Sequence, residues 1–89
     1  MRIKDGFKLR TLLKEYIVTS EGTNRVDFNK IISLNSTAAF LWQKVAGTDF
    51  NEEALVNLLL EEYEVTMEVA VNDVKNLIDQ FREAGILDE

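Results

Sequence analysis

The sequence predicts an α+β fold: a small winged-helix-like domain with a short N-terminal antiparallel sheet of about three strands, followed by three α-helices. Two observations carry this. Residues 1–35 alternate apolar and polar side chains and are rich in β-branched and aromatic types, whereas from Asn35 the apolar residues recur every three or four positions. Strand-forming and helix-forming segments are thus segregated along the chain, the pattern of α+β domains.

The first strand is read from Phe7, Leu9, Thr11 and Leu13, which share one parity with Lys8 and Arg10 between them. Glu15 to Thr19 makes the second. Ser20 to Asn24, with Gly22 at its centre, is a turn cluster. A third extended stretch runs from Arg25 to Leu34. Asn29-Lys30 either leaves it whole or divides it by a tight turn or bulge into two short strands.

Asn35 or Ser36 caps the first helix, because a short polar side chain accepts from a free N–H of the first turn. Ala38, Leu41, Trp42 and Val45 form its apolar face, and Gly47 ends it. The second helix starts at Asn51. Phe50 and Leu55 have the spacing of a hydrophobic staple, and Glu52 and Glu53 suit the positive end of the helix dipole. Leu55, Leu58, Leu59 and Tyr63 are its apolar face. Thr66 caps the third helix, whose stripe is Ala70, Val71, Val74, Leu77, Ile78 and Phe81. Gly85 closes it, with Ile86 and Leu87 folding back on the last turn.

Composition narrows the function. The 89 residues are 46% apolar and fit a single domain spanning 1–89. A chain of this size buries only roughly 60–65% of its unfolded surface, which leaves little room for a deep catalytic cavity. It contains no Cys, His or Pro. Disulfides, thiol nucleophiles, imidazole bases and thiolate or imidazole zinc sites are excluded. The adjacent carboxylates Glu52-Glu53 and Glu61-Glu62 do not face each other on a helix, so they read as solvated surface. No calcium loop, phosphate loop or nucleophile elbow is present. No enzymatic activity, cofactor or metal is expected.

The net charge is −6, unevenly spread: residues 1–35 carry seven Lys/Arg against four Asp/Glu, and residues 36–89 carry three against twelve. A winged-helix DNA-associated or regulatory module is the alternative that the architecture raises. Its groove-reading helix must neutralise phosphates, yet the second helix has no Lys or Arg and the third has only Lys75 and Arg82. No nucleic-acid or membrane partner is expected. No apolar run approaches the length of a transmembrane span, and Met1 to Lys14 lacks a signal-peptide core, so a cytoplasmic location is expected. What remains is a protein surface. A three-stranded sheet with a free edge can bind an extended peptide by strand addition, and the same edge permits a monomer or a dimer.

The run Ile32-Ser33-Leu34-Asn35-Ser36-Thr37-Ala38-Ala39-Phe40-Leu41-Trp42 resembles the signature of the PqqD-like family. The resemblance continues through Gly47, Glu53-x-Leu55-Val56, Leu59-x-x-Glu62-Tyr63, Val71-x-Asp73-Val74 and Ala84-Gly85-Ile86-Leu87, and so covers about residues 6–87. Ala38 stands where many relatives have Gly. The resemblance implies a non-catalytic peptide chaperone. It would bind the leader segment of a ribosomally made precursor peptide and present it to a modifying enzyme, commonly a radical S-adenosylmethionine enzyme. It also implies a site between the third strand and the third helix. On this chain that site maps to Lys30, Ile31, Ile32 and Ser33 facing Val71, Val74, Lys75, Ile78 and Arg82. Ile31 or Ile32 and Ile78 would form pockets for apolar leader side chains, and Lys75 and Arg82 would meet leader carboxylates.

Overall fold

The computed structural model describes residues 1–20 and 27–89, with side chains described for 1–20 and 32–89. Its elements in chain order are β1 (Arg2–Ile3), β2 (Phe7–Leu12), β3 (Glu15–Ser20), β4 (Asp27–Leu34), α1 (Ser36–Val45), α2 (Glu52–Glu62), α3 (Met67–Glu83) and β5 (Leu87–Asp88). The expected α+β order holds. The expected turn at 21–24 lies outside the described residues.

The main sheet is antiparallel in the order β2-β3-β4, which leaves β4 as an edge. Pairing Leu9 with Val18 and Val18 with Ile32 places Phe7, Leu9, Tyr16, Val18, Ile32 and Leu34 on one face. That face packs against the helices: Val18 is fully buried, Leu34 nearly so, and the others are partly covered. β4 runs unbroken through Asn29-Lys30, but its register against β3 shifts between Val18 and Ser20, where two steps along β3 match five along β4. A bulged single strand, not two short ones, is therefore the outcome.

Leu13 departs from the expected alternation. It leaves the strand and is 90% exposed at the hairpin tip. Leu12 pairs with Glu15, so Leu13 and Lys14 form a two-residue turn with φ of 49° and 70°. Two positive φ values define the type I′ turn that matches strand twist, and Asn-Gly is its preferred sequence. A Leu in this conformation suffers Cβ–carbonyl crowding worth roughly 1–2 kcal/mol. The double substitution Leu13→Asn, Lys14→Gly is expected to raise the melting temperature by about 4–8 °C, read by circular dichroism. An unchanged or lower value would show that the turn carries no such strain.

The helix caps follow the sequence. The Oδ1 atoms of Asn35 and Asn51 accept from the N–H groups of Ala38 and Ala54 at 2.7 and 2.8 Å, and Thr66 Oγ1 accepts from Val69 at 3.2 Å. Phe50 and Leu55 are buried in one core, as the staple requires. At the end of α3, Gly85 has φ 71°; its N–H donates to Arg82 O and that of Ile86 to Phe81 O. This six-to-one, five-to-two pattern is a Schellman cap, with Ile86 and Phe81 both buried beside it.

That cap redirects the chain into β5, which pairs with β1 through Ile3–Leu87 and Arg2–Asp88. The residue pattern does not predict this two-stranded sheet. Such short strands carry too few alternations to register as a period, and only tertiary pairing creates them. The core centres on Leu41, Leu55, Leu59, Val74, Ile78 and Ile86, all at most 2% exposed. Trp42 stands edge-on to Phe81, with ring centroids 5.5 Å apart and planes at 90°.

Candidate functional site

A cleft of about 330 Å³ opens where β4 runs into α1, opposite α3. Leu34, Ala38, Leu41, Leu59 and Leu77 give it an apolar floor. Ser33, Asn35 and Thr37 form one polar wall, and Asp73, Asn76 and Gln80 the other. Local structure places each wall. Asn35 sits at the strand-to-helix corner because its side chain caps α1. Asp73, Asn76, Leu77 and Gln80 share a flank of α3 because they lie at i, i+3, i+4 and i+7. One charged side chain, Asp73, lies among these lining residues. Its position beside the edge of β4 that pairs with no other described strand distinguishes the cleft. An edge strand exposes a row of backbone donors and acceptors that an incoming chain can satisfy.

The expected site residues separate into three groups. Ser33 lines the cleft, and Ile32 is half-buried next to it on the inward face of β4. Lys30 and Ile31 lie on the backbone of β4, but their side chains are outside the described set.

Val74 and Ile78 lie on the buried face of α3. Each is 1% exposed and packs in the core, and neither is among the residues that line the cleft. Val71, Lys75 and Arg82 are exposed, yet sit on the other flank of α3. At 3.6 residues per turn, Lys75 and Arg82 point about 160° around the helix from Asp73 and Gln80. Val71, 45% exposed, also falls outside the buried stripe expected of it.

Arg82 is paired within the chain. Its Nε donates to both carboxylate oxygens of Glu89 at 3.1 Å, and its Nη2 donates to Oε1 at 2.8 Å. Asp79 stands 3.8 Å away. The bidentate bond with Arg82 holds the Glu89 carboxyl below its ordinary range, and the bond with Glu89 raises the Arg82 guanidinium. A depressed carboxyl contributes stability above its unfolded pKa and loses it as pH falls through the folded pKa. Carboxyl NMR should accordingly show Glu89 titrating at lower pH in the native chain than in an Arg82→Gln variant. Equal midpoints would contradict the pairing. This ion pair ties α3 to the segment after β5, and Arg82 is not among the residues lining the cleft.

Among the described residues, no group of three His, Cys, Asp or Glu is placed to hold a metal ion, and no helix is long and apolar enough to cross a membrane.

Sequence comparison matches residues 12–87 to the family of coenzyme PQQ synthesis protein D (PqqD). The chain belongs to the PqqD family. The match spans every element from the tip of the first hairpin through α3. No curated protein matches the chain by sequence. Among solved structures the PqqD-family fold seen here is similar to that of TbiB1, solved in complex with the TbiA(beta) leader peptide. The TM-score is 0.73 at 16% identity, over 99% of this chain and 95% of that one.

Proposed function

We propose that this chain is a non-catalytic, single-domain recognition module that binds the leader segment of a ribosomally made precursor peptide and presents it to a modifying enzyme. The observation that carries the reading is the free edge of β4 lying beside a cleft with an apolar floor. Membership of the PqqD family and the fold shared with a protein that holds a leader peptide support it.

The leader adds to β4 as an extra strand. Its backbone pairs with that of residues 32–34, and an apolar side chain drops onto Leu34, Leu41 and Leu77. The added strand would expose its own outer edge toward α3. Asn76 and Gln80 stand there, and a carboxamide both donates and accepts, matching a peptide group. The enzyme that receives the peptide is of the radical S-adenosylmethionine class that the family resemblance implies.

The test uses the leader of a short precursor encoded beside this chain, in native form and N-methylated at alternate residues. Each backbone hydrogen bond contributes about 0.5–1.5 kcal/mol net, so losing three should weaken binding tenfold or more by calorimetry. Equal affinity for both peptides would overturn strand addition. No binding of the native leader would overturn the reading itself.

A further inference from the structure

We infer that the cleft selects peptides carrying a Lys or Arg at a fixed distance from the apolar residue that anchors them, with Asp73 as the group that reads the cation. The inference rests on the peptide-binding reading above and specifies its ligand. Asp73 is exposed on the α3 wall, and no other lining residue carries a charge. Among the described residues no Lys or Arg forms an ion pair with it. Lys75 lies on the opposite flank of the helix, and Arg82 is held by Glu89.

The described part of the cleft therefore offers a carboxylate without an internal counter-charge, next to an apolar floor that excludes water from one side. Such a group repels a leader carboxylate and favours a cation. This reverses the polarity expected from placing Lys75 and Arg82 in the site. Ser33, Asn35, Thr37, Asn76 and Gln80 are neutral and impose no competing preference.

The expected selectivity is modest. A partly exposed ion pair changes affinity by about two- to fivefold, and less as salt rises. The probe is a phage-displayed library of random dodecamers, selected on the immobilised chain and separately on Asp73→Asn. Glu68→Gln, which makes the same charge change on another face of α3, is the control.

Selection on the native chain and on Glu68→Gln should enrich an apolar position with Lys or Arg at a constant offset. Asp73→Asn should keep the apolar position and lose the cation. In one enriched peptide, replacing that Lys by Gln should weaken binding two- to fivefold to the native chain and leave binding to Asp73→Asn unchanged. Enrichment of an apolar position without a cation, or with Asp or Glu, would overturn the inference while leaving peptide binding intact. Enrichment of no sequence at all would overturn both.

Discussion

Trp42→Ala is expected to cost about 3–5 kcal/mol, the range for removing a buried aromatic from a core. An 89-residue chain has in total only roughly 4–13 kcal/mol of stability, so the loss is a large fraction of it. The size follows from position. Trp42 is 4% exposed, its ring meets the Phe81 ring edge-on, and it joins α1 to α3 at the centre of the helical layer. The cleft floor depends on the same contact, since Leu41 precedes Trp42 on α1 and Leu77 lies one turn before Phe81 on α3. The chain has a single Trp, so far-UV circular dichroism is the readout. The urea midpoint should fall by more than about 1 M. A shift under about 0.3 M would contradict this packing.

Asn76→Trp is expected to separate binding from stability. Asn76 is exposed on α3, and Asn and Trp have similar helix propensities, so stability should change by no more than about 0.5 kcal/mol. The indole would occupy the cleft and exclude an incoming strand, weakening leader binding by more than tenfold, about 1.4 kcal/mol. Lys75→Trp places the same bulk on the opposite flank and should leave affinity within about twofold. If Lys75→Trp abolished binding and Asn76→Trp did not, the peptide would lie along the other side of the helix.

These two substitutions bear on what could be read from the sequence. The capping residues Asn35, Asn51 and Thr66, the closing glycines and the core stripe of α3 apart from Val71 were legible, because each reflects local chemistry within a few residues. The candidate site is legible in the sequence only as the neighbourhood of β4 and α3. The buried stripe of α3 has two polar flanks, one through Asp73, Asn76 and Gln80 and the other through Lys75 and Arg82. The helix pattern alone does not say which flank turns toward the strand. That choice is set by how α3 packs on the sheet. Charge pattern alone does not show that Arg82 pairs with Glu89, a residue brought near by the Schellman cap and β5. Ile78 is apolar near that flank, and its burial in the core is set by the packing of α3. The polar wall of the cleft is marked in the sequence by the i, i+3, i+7 spacing of Asp73, Asn76 and Gln80, polar side chains bordering Leu77.

The central claim is that a peptide joins the free edge of β4 and lies in the cleft against α3. The most direct test is an amide NMR titration of the ¹⁵N-labelled chain with the native leader peptide. The account predicts shifts concentrated at residues 32–38 and 73–80, with residues 7–12 of the opposite sheet edge unmoved. Shifts confined to β2, or to the flank of α3 bearing Val71, Lys75 and Arg82, with residues 33–38 silent, would contradict it.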